Sequence, residues 1–80
     1  MKSYRFKILI ENKPAVLVRI LSLIAARNYN INYLLNQKTK DPTISEVIID
    51  IEGKKIILEQ MRKQFSRIIN VIKVHDIEEI

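Results

Sequence analysis

Tyr4-Arg5-Phe6-Lys7-Ile8-Leu9-Ile10-Glu11-Asn12-Lys13-Pro14-Ala15-Val16-Leu17 holds the change of hydrophobic period that decides the fold. Tyr4, Phe6, Ile8 and Ile10 occupy alternate positions with Arg5 and Lys7 between them, which predicts a strand over residues 3–10 with one buried face. Asn12, Lys13 and Pro14 break that strand, and Pro14 suits the first position of a helix because the amide it lacks would be unpaired there. Leu17, Ile20, Leu21 and Ile24 then recur at three- and four-residue steps, predicting an amphipathic helix over residues 14–27. Arg27 complements the dipole at its end, and Asn28 tolerates the left-handed conformation that stops a helix.

Working outward, Ile31, Tyr33 and Leu35 alternate within a second strand over residues 30–38. Lys40, Asp41, Pro42 and Thr43 form a turn, and Ser45, Val47, Ile49 and Ile51 alternate along a third strand whose Glu46, Asp50 and Glu52 are expected to face water. Gly53 closes it. Ile57, Leu58, Met61 and Phe65 predict a second helix over residues 54–67, with Glu59 placed to pair with Lys63. Val71, Ile72 and Val74 predict a last strand over residues 69–76, followed by an acidic tail, Glu78 and Glu79, read as a solvated terminus. The order βαββαβ predicts an α+β ferredoxin-like sandwich with right-handed crossovers, a four-stranded antiparallel sheet and two helices on one face. The open face is expected to carry some of Leu9, Tyr33, Leu34, Ile48 and Val71, which favours self-association.

Eighty residues with one Gly, two Pro and no Cys make one small domain, residues 1–80, without a disulfide framework. Domains of this size are marginally stable, so a homodimer or larger oligomer is expected. The net charge of +5 comes from dispersed Lys and Arg and reads as solvated surface. No apolar run approaches the roughly 18 residues of a membrane span and no signal peptide opens the chain, so the expected location is the cytoplasm.

Catalysis finds few candidates. With no Cys and one His, a metal centre or an activated nucleophile is not expected. His75 and Asp76, as neighbours in a strand, would point to opposite faces. One Gly cannot build a phosphate loop. Nucleic-acid binding would call on Tyr4, Phe6 and Tyr33, but residues 44–52 contain no aromatic and three acids where an RNA-binding sheet needs basic and aromatic residues.

The loop from Glu11 to Leu17 is the most informative for function. It sets an amide side chain, Asn12, beside a helix N-terminus whose free N–H groups can seat a carboxylate. Asn30, at the mouth of the next strand, offers a donor and an acceptor suited to an ammonium group and its neighbours. The plainer account makes Asn12 a turn or capping residue and Asn30 a loop residue.

Glu11-Asn12-Lys13-Pro14-Ala15-Val16-Leu17-Val18-Arg19-Ile20 resembles the opening signature of ACT domains, specifically those of the small regulatory subunit of acetohydroxyacid synthase, also called acetolactate synthase. Arg27-Asn28-Tyr29-Asn30-Ile31, Asp41-Pro42 with Ser45, Leu58-Glu59-Gln60 and Asn70-Val71-Ile72-Lys73-Val74 extend the resemblance over nearly the whole chain. It implies a non-catalytic subunit, binding no cofactor itself, that activates the thiamine-diphosphate-dependent catalytic subunit and confers feedback by branched-chain amino acids, chiefly valine. It also implies an effector site at a dimer interface, with Asn12, Lys13, Pro14, Ala15, Val16 and Leu17 from one copy and Asn30 from the other. Two residues depart from the family pattern: Ala15 and Asn28 stand where Gly is customary. The methyl of Ala15 restricts close approach to the backbone. That departure, with the absence of a second domain, supports the other reading, a stand-alone ACT amino-acid sensor or an interaction module that has lost its effector.

Overall fold

The computed structural model describes all residues from Met1 to Ile80. The first strand, β1, runs Ser3–Glu11 and its exposure alternates along its whole length, with Tyr4, Phe6, Ile8 and Ile10 buried. The helix α1 (Pro14–Ala26) begins at Pro14 and buries Val16, Ile20 and Ile24 along one face. β2 (Ile31–Lys38) and β3 (Ile44–Glu52) form the hairpin, α2 (Lys55–Phe65) buries Leu58, Met61 and Phe65, and β4 (Val71–Val74) follows. The antiparallel sheet has the order β2-β3-β1-β4, which places β1 and β3 at its centre. Both helices cover the face that carries the buried alternate residues of those two strands. Phe6 and Phe65 meet edge to face across the sheet–helix interface, with ring centroids 5.4 Å apart. No helix is long and apolar enough to cross a membrane.

Both helix-to-strand connections turn through left-handed asparagines, Asn28 at φ 61° and Asn70 at φ 73°. Asn70 also returns its carbonyl to the β1 end, accepting the Glu11 N–H at 2.9 Å. Gly53 is required by a close approach rather than by its backbone angle. A Cβ there would lie 2.8 Å from Cε1 of Tyr29, whose ring packs on the strand end.

Four expectations from the sequence need correction. First, Ile31, Tyr33 and Leu35 do not share a face. A bulge between Ile31 and Tyr33 pairs Ile31 with the core residue Ile51 but Tyr33 with Asp50 and Leu35 with Ile48, so Asn32 is the extra residue that flips the register. Tyr33 and Leu35 therefore share the open face with Leu9 and Ile48. Leu34 and Val71 sit opposite the core residues Ile49 and Ile10, on the helix-covered side.

Second, Asp50 is not wet. Its carboxylate accepts two hydrogen bonds from Arg5, at 2.8 and 2.9 Å, and its side chain is only 12% exposed. Arg5 and Asp50 are direct cross-strand neighbours, and the guanidinium also lies 5.7 Å from the Tyr33 ring centroid. The hydrogen bond to Asp50 raises the Arg5 pKa further above its already high ordinary value.

Third, the acidic tail is not free. The last strand is shorter than expected, and Glu78–Glu79 form a further short strand, β5, paired with Arg5 and Tyr4 of β1. Glu78 reaches Lys7 and Glu79 reaches Lys2, each at 3.4 Å. The sheet thus has five strands, of which the first four form the expected sandwich. Fourth, Glu59 pairs with Arg62 at 3.4 Å, one turn away, rather than with Lys63.

The Arg5–Asp50 pair carries a prediction. Arg5→Ala leaves the Asp50 carboxylate without its donor and should lower stability, read as a lower urea midpoint. An unchanged midpoint would mean that Asp50 finds other solvation on the open face.

Candidate functional site

The loop between β1 and α1 is held from two sides. The Asn12 N–H donates to the Thr43 carbonyl at 2.8 Å, and the Lys13 N–H donates to the Glu11 carbonyl at 2.7 Å. Lys13 occupies the N-cap position in an extended conformation without a side-chain capping bond, and the first turn of α1 holds no acidic residue. The helix start therefore presents its partial positive charge with no counter-group from its own turn. Asn12 is not the cap, and of the plainer account it keeps only the role of a turn residue, in the bend between β1 and α1. The Lys13 ammonium is drawn aside to Glu11, at 3.2 Å.

Beside this helix start lies a groove of about 590 Å³. Glu11, Asn12 and Lys13 form one wall, and Pro42, Thr43 and Ile44 of the hairpin turn form the other, with Ile72 of β4 completing the lining. Of the remaining candidates, Pro14 and Ala15 are exposed at the mouth of α1, Leu17 is half-buried against the core and Val16 is fully in it. The Val16 side chain is therefore committed to the fold, and its N–H donates to the Lys13 carbonyl at 3.1 Å.

Asn30 is elsewhere. It precedes β2 at the opposite end of the sheet, beside a second depression of about 390 Å³ lined by Met1, Asn28, Tyr29, Asn30, Asn32 and Glu52. Ile31 aligns through Ile51 with Tyr4, so Asn30, one residue further out, lies roughly 30 Å from Asn12 along the strand direction, at about 3.3 Å per residue. One chain does not bring Asn12 and Asn30 together.

The hairpin turn that forms the second wall has an internal order that the sequence reading did not assign. The Thr43 N–H and hydroxyl both donate to Asp41 Oδ1, at 2.9 and 2.7 Å, and the Thr39 hydroxyl contacts the carbonyls of Asp41 and Ile44. The alternation Thr39, Asp41, Thr43 was the available signal, since such side chains bond backbone amides two residues away. The Thr43 hydroxyl and, secondarily, its backbone amide hold the Asp41 carboxyl below its ordinary value of 3.8.

A scan of family models matches residues 6–73 to the AHAS small subunit-like ACT domain, AHAS being acetohydroxyacid synthase. The chain belongs to that family. The match includes the whole Asn12–Leu17 turn, Asn30 and both helices. Among relatives, the acetolactate synthase small subunit of Buchnera aphidicola subsp. Baizongia pistaciae is 38% identical over 99% of this chain and 50% of its own length. A probable acetolactate synthase small subunit of Methanothermobacter thermautotrophicus is 39% identical over 88% of this chain and 42% of its own length. The crystal structure of the acetolactate synthase small subunit from Thermotoga maritima superposes with a TM-score of 0.82 at 28% identity, covering 94% of this chain and 47% of that one. This ACT domain thus spans about half the length of the curated relatives it matches. The ACT domain of a Chlorobium tepidum GTP pyrophosphokinase, at 16% identity and a TM-score of 0.71 over the full length of both chains, shares the fold.

The wall formed by the turn carries a second prediction. A carboxylate with a depressed pKa stabilises the turn above its ordinary pKa, and that contribution is lost as pH falls through the depressed value. In an NMR titration of side-chain carboxyls, Asp41 should show a midpoint below 3.8, with faster Thr43 amide exchange beneath it; Thr43→Val should move the midpoint upward. Equal midpoints in the two proteins would remove the hydroxyl as the cause.

Proposed function

We propose that this ACT domain acts as a regulatory, non-catalytic subunit of acetohydroxyacid synthase, raising the activity of the catalytic subunit and lowering it again when a branched-chain amino acid, chiefly valine, is bound. The observation that carries this reading is the family match over residues 6–73, because it takes in both the core pattern and the Asn12–Leu17 turn. Relatives named as acetolactate synthase small subunits support it.

The geometry suits an α-amino acid. A carboxylate is favoured at the uncapped start of α1 by the helix dipole and by the Ala15 N–H, since Pro14 has no N–H and those of Asn12, Lys13 and Val16 are already donated. Asn12, exposed beside it, offers a carbonyl oxygen to an ammonium group and an amide to a carboxylate. The groove wall at Ile44 and Ile72 offers aliphatic surface to an isopropyl group, whose burial is worth roughly 1.5 to 3 kcal/mol.

The place of Asn30 supports a shared site. β2 is an edge strand, so its outer backbone groups are free to pair with another strand. Two-fold antiparallel pairing of β2 with its copy would carry the partner copy's β2 start to the end of the sheet where Asn12 stands. Each dimer would then hold two equivalent sites, each built from both chains. Effector binding would tie the two domains together and shift the surface offered to the catalytic subunit, and by linkage the catalytic subunit must change effector affinity by the same factor.

The test is a steady-state acetolactate-forming assay of the cognate catalytic subunit titrated with this protein. Activation should appear with wild type and with Asn12→Ala alike, whereas the concentration of valine needed for inhibition should rise about tenfold in the variant, the cost of one hydrogen bond to a charged group. Absence of activation by wild type would contradict the regulatory reading, and valine binding without activation would point to a stand-alone sensor.

A further inference from the structure

The two sides of the molecule carry different charge. Residues 13–29 contain Lys13, Arg19 and Arg27 and no acid, and residues 54–70 contain Lys54, Lys55, Arg62, Lys63 and Arg67 against the single acid Glu59. Lys13 and Arg62 are neutralised by Glu11 and Glu59, which leaves the remaining cations of the helix layer without an ion-pair partner. On the sheet, by contrast, Lys2, Arg5 and Lys7 each meet an acid, Glu79, Asp50 and Glu78. The net positive charge is therefore a property of the helix layer, and the sheet side is close to balanced.

The basic layer also has an apolar recess. Arg19, Ser22 and Leu23 of α1 and Ile68, just beyond α2, line a groove of about 380 Å³. Arg67 precedes Ile68 in the chain and is exposed; Ile69 follows it and is 70% exposed. An aliphatic slot with an unpaired cation on its wall and a second at its edge is complementary to an acidic segment that presents one aliphatic side chain. Nucleic acid fits less well, because no exposed aromatic ring of the helix layer is available for base stacking: Phe65 is buried, Tyr29 packs on Gly53 and Tyr33 is on the open sheet face.

We propose that the helix layer, centred on Arg19, Leu23, Arg67 and Ile68, is the docking surface for an acidic, aliphatic-bearing surface of the catalytic subunit. This rests on the regulatory reading above and assigns the contact to the face away from the open sheet. Long-range attraction between the basic layer and an acidic partner steers encounter, and the slot fixes register. A docking surface on the helices leaves both the β2 edge and the Asn12 groove free.

The experiment measures the affinity of the full chain for the purified catalytic subunit by biolayer interferometry at several NaCl concentrations. Arg19→Glu with Arg67→Glu should bind about tenfold more weakly and lose most of the salt dependence, and the milder Arg19→Gln with Arg67→Gln should fall between. Both pairs are exposed and without side-chain partners, and thermal melts check that each variant is folded. Lys2→Glu with Lys73→Glu, on the sheet side and away from the β2 edge, makes the same charge change and should bind as wild type does. Equal loss in that control, or unchanged binding of the folded helix-layer variants, would overturn the docking surface while leaving the regulatory reading intact. Failure of wild type to bind would overturn both. Tighter binding of wild type to phosphatidylserine vesicles or to a single-stranded oligonucleotide than to the catalytic subunit would overturn the choice of a protein partner.

Discussion

The alternation of β1 is the constraint on which the rest depends. Tyr4, Phe6, Ile8 and Ile10 project to one side and are at most 5% exposed, while Arg5, Lys7 and Leu9 project to the other. Because β1 pairs with β3 along its full length and with both β4 and β5 on its other edge, its register sets that of the sheet. A slip of one residue would carry Phe6 out of contact with Phe65 and bury Arg5 and Lys7 under the helices. The core and the ion pairs of the open face are thus two outcomes of one pattern.

That pattern also distributes function. Strand ends and loops are where the backbone leaves its ladder, and the two polar depressions lie at opposite ends of the sheet: Asn12 with the hairpin turn at one, Asn30 with Glu52 at the other. The open face is occupied by its own Arg5–Asp50 and Lys7–Glu78 pairs, whereas the cations of the helix layer are mostly without acids. The Asn12 end, the β2 edge and the helix layer are separate surfaces. On the reading proposed above, a second copy paired at β2 completes the small-molecule site at the Asn12 end, and the helix layer stays free for a larger partner.

Much of the fold was legible because its signals are local. The period change at Asn12-Lys13-Pro14 marks the β1–α1 junction, and Asn28 and Gly53 mark turns by backbone angle or by space. What could not be read depends on pairing between distant segments. The bulge at Asn32 has no local signal, since Ile31, Tyr33 and Leu35 alternate as an unbroken strand would; only the register with β3 reveals the extra residue. Asp50 reads as wet until Arg5 is placed opposite it, and Glu78 and Glu79 read as a free tail until Lys2 and Lys7 are found beside β1. The site was legible as a turn, from Asn12 to Leu17, but not as a place. Its second wall, from Thr39 to Ile44, comes from a hairpin thirty residues on, and the Val16 side chain turned out to belong to the core.

The central claim is that one amino-acid site is built from the Asn12 turn of one copy and Asn30 of another. Mixing two inactive variants tests it most directly. If Asn12→Ala and Asn30→Ala chains are each deficient in valine binding, equilibrating them one to one places both intact residues in one site of every mixed dimer. Isothermal titration calorimetry should then recover wild-type affinity at about one site in four. No recovery on mixing, with subunit exchange verified by native mass spectrometry, would contradict a shared site and leave Asn12 and Asn30 in separate roles.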